Sequence, residues 1–143
     1  MLTRLLYASR AVDKIDDALL KAILERSRAN NLEHGITGVL CIYQGGDVFL
    51  QALEGSRSAV NTLYGNIVRD PRHRDITLLD YAEVDERRFS GWRMGSVDLS
   101  KVNLSSILRY SERAVVDPFS MTGGRALALL EELTTSAAIV NHD

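Results

Sequence analysis

Gln51 sits in the middle of an otherwise apolar run, Phe49-Leu50-Gln51-Ala52-Leu53, and no other residue of this sequence asks as plainly for a partner. An amide buried without partners costs roughly 1–3 kcal/mol, so something polar must meet it. The side chain offers an acceptor and two donors. Tyr7 lies inside a second apolar run, Leu5-Leu6-Tyr7-Ala8-Ser9. Asn30 and Asn31 fall where a helix is expected to stop, and Trp92 and Met94 stand two positions apart on an expected strand. Alternation puts Phe49, Gln51 and Leu53 on one face of their strand, and Trp92 and Met94 on one face of theirs. Taken singly, each has an ordinary account. Tyr7 suits a core with its hydroxyl satisfied, Trp92 and Met94 suit plain packing, Asn31 suits a helix C-cap, and Gln51 suits a strand edge.

Other constellations of catalysis are missing. His34, His73 and His142 lack metal-ligand spacing. There is no dinucleotide-binding glycine motif, phosphate loop or nucleophile elbow. Cys41 lies mid-strand among apolar residues and reads as a buried structural thiol. Arg72, His73 and Arg74 read as a solvated basic turn, and Arg87 and Arg88 as solvated side chains.

A chain of 143 residues is the length of one domain and needs no covalent staples. A net charge of −2 gives no electrostatic footprint for nucleic acid. The single cysteine excludes an internal disulfide framework and fits a reducing cytosol. No signal peptide is legible, and the apolar runs are far too short to span a membrane. The expected setting is cytoplasmic, with neither nucleic acid nor membrane as partner.

The elements that must position these residues follow from periodicity. Leu2 to Ser9 predicts a strand. Ile15, Ala18, Leu19, Ala22, Ile23 and Arg26 repeat at helical spacing, with Asp13 or Asp16 as cap and Arg26 and Arg28 toward the negative end of the dipole. Ile36 to Tyr43 and Asp47 to Glu54 predict a hairpin through Gln44-Gly45-Gly46. Neither alternates cleanly, as expected of strands covered on both faces. A second helix is expected from Ser56 to Arg69, ended by Asp70-Pro71. Strands follow over Ile76 to Val84 and Trp92 to Val97. The order β-α-β-β-α-β-β predicts an α+β, ferredoxin-like fold: a five-stranded mixed sheet with two helices on one face. In the tail, Leu104, Ile107 and Leu108 suggest one helix. Thr122 can cap another that carries Ala126, Leu127, Leu130 and Leu133. This helical pair is expected either to cover the second face or to mediate assembly.

Together these residues resemble the BLUF family, sensors of blue light using flavin adenine dinucleotide (FAD). The resemblance runs from about Leu2 to Val97. It is carried by Leu5-Leu6-Tyr7-Ala8-Ser9, by Asn30-Asn31 with Gly35-Ile36-Thr37-Gly38, and by Phe49 to Gly55. It continues in Asp70-Pro71-Arg72-His73 and Phe89-Ser90-Gly91-Trp92-Arg93-Met94. The GITG and FLQxLEG strings at this spacing are the most specific. The chain thus divides into a flavin-binding domain, residues 1–98, and a C-terminal helical extension, residues 99–143.

The resemblance implies a photoreceptor rather than an enzyme, holding FAD non-covalently, with FMN or riboflavin as substitutes. The flavin ring is expected between the two helices, over one sheet face. Tyr7, Gln51, Trp92 and Met94 match the photoswitch. Tyr7 would donate to Gln51, which also contacts the flavin. Asn31 matches the residue at the polar edge of the ring, with Asn30 beside it. Asp70, Arg72 and His73 match positions near that edge or the ribityl chain, and Ile23 completes the cofactor-binding set. An oxidisable phenol can pass on an electron and then its proton, and rotating or tautomerising an amide swaps which partner receives a hydrogen bond. Arg93 departs from the family, which often has serine there; alternation points it to the opposite face.

The resemblance matches short family members with no effector domain attached. The light signal is then expected to pass to a separate downstream protein or through a change of assembly, with a homodimer or larger homo-oligomer expected from the apolar tail. Two other readings use the same fold. One is an acylphosphatase-like hydrolase, for which Arg10 and Asn30 are available but no phosphate loop is evident. The other is a small-ligand regulatory module without photochemistry.

Overall fold

The most apolar stretches pair as the central strands of one sheet. The computed structural model describes residues 1–43, 47–91, 94–98, 102–135 and 139–140. Strand β1 (Leu2–Ala11) leads to helix α1 (Asp17–His34), the strands β2 (Thr37–Tyr43) and β3 (Val48–Ser56), helix α2 (Arg57–Val68) and strand β4 (His73–Val84). Then come β5 (Gly95–Asp98), α3 (Leu104–Leu108), a 3₁₀ turn (Pro118–Ser120), α4 (Gly123–Thr135) and β6 (Ile139–Val140). The sheet order is β4-β1-β3-β2-β5-β6.

The α+β, ferredoxin-like arrangement is present, but five strands is the wrong count. Four antiparallel strands, β4-β1-β3-β2, form the body of the sheet. The short β5 adds parallel to β2, and the two-residue β6 adds antiparallel to β5. A two-residue strand has no periodicity for sequence reading to detect.

Alternation along β1 and β3 divides the interior into two cores. Leu5, Tyr7, Phe49 and Leu53 face α1 and α2, packed with Leu24, Ile36, Val60 and Met94. Leu6, Ala8, Leu50 and Ala52 face the tail, packed with Phe89, Ile107, Ala126, Leu129, Leu130 and Leu133. The central strands lack clean alternation because both faces are covered. Burying each large side chain fully contributes about 1.5–3 kcal/mol.

Local signals set the ends of the elements. The Asp16 carboxylate accepts from the Leu19 amide at 2.7 Å and caps α1, so Asp13 is not the cap. Ile15 is buried but precedes the helix. The helix does not stop at Asn30 and Asn31. It runs on to His34 and closes at Gly35, whose φ of 67° is left-handed and whose amide donates to the Asn31 carbonyl. Both asparagines therefore lie in the last helical turns, and Arg26 and Arg28 lie well inside. Ser56 caps α2 through the Ala59 amide at 3.2 Å. β4 starts at His73, earlier than expected, and Asp75 (φ 55°) stands where its pairing with β1 is irregular.

The tail helix α4 is capped by Thr122, which accepts from the Arg125 amide at 3.2 Å. Gly123 lets α4 approach β4 closely, because a Cβ there would stand 2.2 Å from the Leu79 carbonyl oxygen. The Arg10 guanidinium lies 4.2 Å from the centre of the Phe119 ring. Arg87 and Arg88 are not merely solvated. Arg87 donates to Thr37 Oγ1 at 3.0 Å and the Glu54 carbonyl at 3.3 Å, and Arg88 pairs with Glu131 of α4 at 2.6 Å. Among the described residues no helix is long and apolar enough to cross a membrane.

Candidate functional site

The register of β1 against β3 makes Tyr7 and Gln51 direct cross-strand partners, and Leu40 of β2 flanks Gln51 on its other side. Residues directly opposed in an antiparallel ladder project to the same face. The Tyr7 hydroxyl donates to Gln51 Oε1. Gln51 Nε2 donates in turn to the Met94 thioether sulfur at 3.4 Å. All three residues are buried. Met94 does not lie within a strand as expected; it immediately precedes β5. Trp92, and Arg93 beside it, lie outside the described residues.

Burial raises the Tyr7 phenol well above its ordinary pKa, and Tyr64 and Asp70 add to the effect. Burial also raises Tyr64. The two rings are tilted, 5.7 Å apart. Tyr7 thus stays a neutral donor.

His73 ties three elements together behind this pair. Its Nε2 meets the Ile67 carbonyl at 2.5 Å, and its Nδ1 lies 2.8 Å from Ser9 Oγ. A carbonyl can only accept, so Nε2 carries a proton; in the neutral ring Nδ1 then accepts from the serine hydroxyl. The imidazole stands edge-on to the Tyr7 and Phe49 rings, 6.4 Å from each centre.

Above this face a cavity of about 220 Å³ opens between the sheet and the two helices. Tyr7, Leu40, Phe49, Gln51 and Met94 form its floor. α1 supplies Leu19, Ile23, Arg26, Ser27, Asn30 and the buried Asn31. α2 supplies Leu63, Asn66 and Ile67, and Asp70, Arg72 and His73 close the end. Asp70 accepts from the Arg72 amide at 2.9 Å and from its guanidinium at 2.6–3.0 Å. That bonding holds the carboxyl below its usual range and raises the arginine.

The structure therefore gathers Tyr7, Gln51, Met94, Ile23, Asn30, Asn31, Asp70, Arg72 and His73 around one cavity. Sequence reading missed several lining residues, among them Arg26, Ser27, Leu63 and Asn66. Helical spacing could have found three of them: Arg26 stands four positions before Asn30, Ser27 three and four before the asparagines, and Asn66 four before Asp70.

The site is thus a cavity of mixed apolar and polar lining between one face of a split α+β sheet and its two helices, floored by a phenol–amide–thioether chain. The family model described as "BLUF: Sensors of blue-light using FAD" matches residues 2–95, and the chain belongs to that family. It is 38% identical over 96 residues to photoactivated adenylate cyclase subunit beta of Euglena gracilis, covering 66% of this chain but 11% of that protein. It is 35% identical over 101 residues to the blue light- and temperature-regulated antirepressor BluF of Escherichia coli K12, covering 69% of this chain and 24% of that protein. Among solved structures, the photo-activated state of BlsA superposes with a TM-score of 0.83 at 32% identity, over 100% of this chain and 99% of that one. The dark state of the BLUF protein BlrB gives 0.78 at 31% identity, over 95% and 96%.

Proposed function

We propose that this chain is a blue-light photoreceptor whose switch is the hydrogen-bond chain Tyr7–Gln51–Met94. The observation that carries the reading is that these three residues form part of the cavity floor: a protonated phenol, an amide that both accepts and donates, and a soft sulfur acceptor are joined by two successive hydrogen bonds.

The lining fits FAD chemically. Ile23, Leu40, Leu63 and Ile67 give apolar walls for a flat aromatic ring, while Asn30, Asn31 and Gln51 give donors and acceptors for its polar edge. Arg26 and Arg72 give positive charge for phosphates. Asp70 fixes the Arg72 side chain, and His73 braces the Tyr7 side of the cavity. When bound, FAD would supply the absorption of blue light and a redox-active excited state.

The chain's own residues do the rest. Tyr7 holds its proton on the bond to Gln51 Oε1, which is the atom placed to receive it. Rotation of the amide would exchange donor for acceptor and take Nε2 off the Met94 sulfur, whereas tautomerisation would exchange them with Nε2 in place. Such bonds are worth about 0.5–1.5 kcal/mol net, so the output must be an element poised between two arrangements. Met94 leads directly into β5, and the tail core lies under the other face of the same sheet. We therefore assign residues 1–98 to light sensing and 99–143 to output, through a separate partner protein or a homo-oligomeric change, in the cytoplasm. Trp92 belongs with the switch by its match to the family.

Purification with FAD tests the reading. A yellow protein whose absorption shifts reversibly to the red under blue light is the expected result. A protein that fails to take up flavin, or holds it without a light-induced shift, contradicts it.

A further inference from the structure

Met94 is held from two sides. Its sulfur accepts from Gln51 Nε2 of β3 at 3.4 Å. Its main-chain carbonyl accepts from the Arg28 guanidinium of α1, from Nε at 3.3 Å and from a terminal nitrogen at 3.2 Å. Arg28 is half-buried and does not line the cavity.

The two contacts have different jobs. A thioether is a weak acceptor, and methionine has three rotatable bonds, so the Gln51 contact alone is a poor anchor. Two N–H groups of a planar, permanently charged fork on one carbonyl are a better one. The sulfur can stay within reach of Gln51 only if the backbone carrying it is held. The floor of that position is also tight: a Cβ on Gly38 would stand 3.3 Å from the Met94 methyl.

We propose that Arg28 is a positioning residue of the photoswitch. By fixing the Met94 carbonyl, it sets the geometry of the Gln51–sulfur contact and so biases the amide between its two orientations. This inference rests on the photoreceptor reading above. Through α1, which also carries Asn30 and Asn31, it links the cavity wall to the start of β5.

A double-mutant cycle separates this role from a merely structural one. The full chain, loaded with FAD, is compared as wild type, Arg28→Ala, Met94→Leu and the double variant. The readouts are the flavin absorption maximum in the dark and the rate of dark recovery. Alanine is the best helix former, so α1 should persist, with FAD content as the check. In Arg28→Ala the recovery rate should change by about threefold or more, a coupling of ordinary size for residues in contact. Arg28→Lys, keeping the charge but not the fork, should restore part of it. In the Met94→Leu background the same arginine change should have little effect on either readout. Equal effects in both backgrounds, or a wild-type rate and maximum in Arg28→Ala, overturn the inference while leaving the photoreceptor reading intact. A wild-type protein without any light-induced shift overturns both.

Discussion

Tyr7 and Gln51 face each other across the β1–β3 ladder, and the phenol of one donates to the amide oxygen of the other. The pair is therefore set by backbone register, not by a loop. A slip of one residue would turn Tyr7 to the tail face and break the contact. If the pair is the switch proposed above, the deeply buried strands that carry it would give it the rigid mount a bond-exchange device requires. Motion of such a switch would then leave through Met94, which immediately precedes β5.

Arg88 and Phe89, after β4, are anchored by Glu54, three residues beyond Gln51 and pointing to the tail face. Its fully buried carboxylate accepts from the Phe89 amide at 2.7 Å, the Arg88 amide at 2.9 Å and Arg4 at 3.4 Å. Replacing Glu54 by leucine leaves the buried Arg4 charge uncompensated, which costs about 3–5 kcal/mol. Urea denaturation should show that loss, with Glu54→Gln losing less. A leucine variant as stable as wild type would mean the carboxylate does not anchor Arg88 and Phe89.

Gly123 controls how α4 seats on the sheet. In Gly123→Ala the new methyl meets the Leu79 carbonyl, so the helix must move outward at a cost of about 1–3 kcal/mol. Hydrogen exchange should accelerate across α4 while FAD content is kept. Unchanged protection of α4 amides contradicts this seating.

The Tyr7 proton gives a pH dependence with a definite sign. Burial favours the neutral phenol, so the folded chain holds this proton more tightly than the unfolded one. Its contribution to stability is fully present below the unfolded tyrosine pKa of about 10 and falls as pH rises beyond it. Asp70 works oppositely. Its carboxyl is lowered by Arg72, so its contribution is present above the ordinary aspartate range and is lost as pH falls below it. Alkaline titration followed by phenolate absorbance should show Tyr7 ionising last, with Tyr64 also delayed, and Tyr7→Phe should remove the latest step. Ionisation of Tyr7 together with exposed tyrosines would contradict its burial.

Much of this was legible in the residues. Gln51 in an apolar run demanded a polar partner, alternation chose its face, and the family spacing pointed to Tyr7. Strands covered on both sides announced themselves by failing to alternate. What escaped had physical reasons. Asn30-Asn31 resembled a helix end, but the left-handed stop was supplied by Gly35, a turn later. Met94 was read as a strand residue because two apolar side chains at i and i+2 imitate a strand, whereas the strand starts at Gly95. Arg28 looked like a dipole-compensating surface charge. Its target is a carbonyl 66 residues away, and such a contact leaves no local pattern.

The central claim is that Tyr7 and Gln51 form the switch, and a blue-light difference spectrum of single variants tests it most directly. Tyr7→Phe removes the hydroxyl proton, and Gln51→Leu removes the amide; neither removes the apolar walls that would hold the ring. The expected result is that both variants purify with FAD and neither forms the red-shifted state that wild type forms. A wild-type photocycle in either variant would contradict the account.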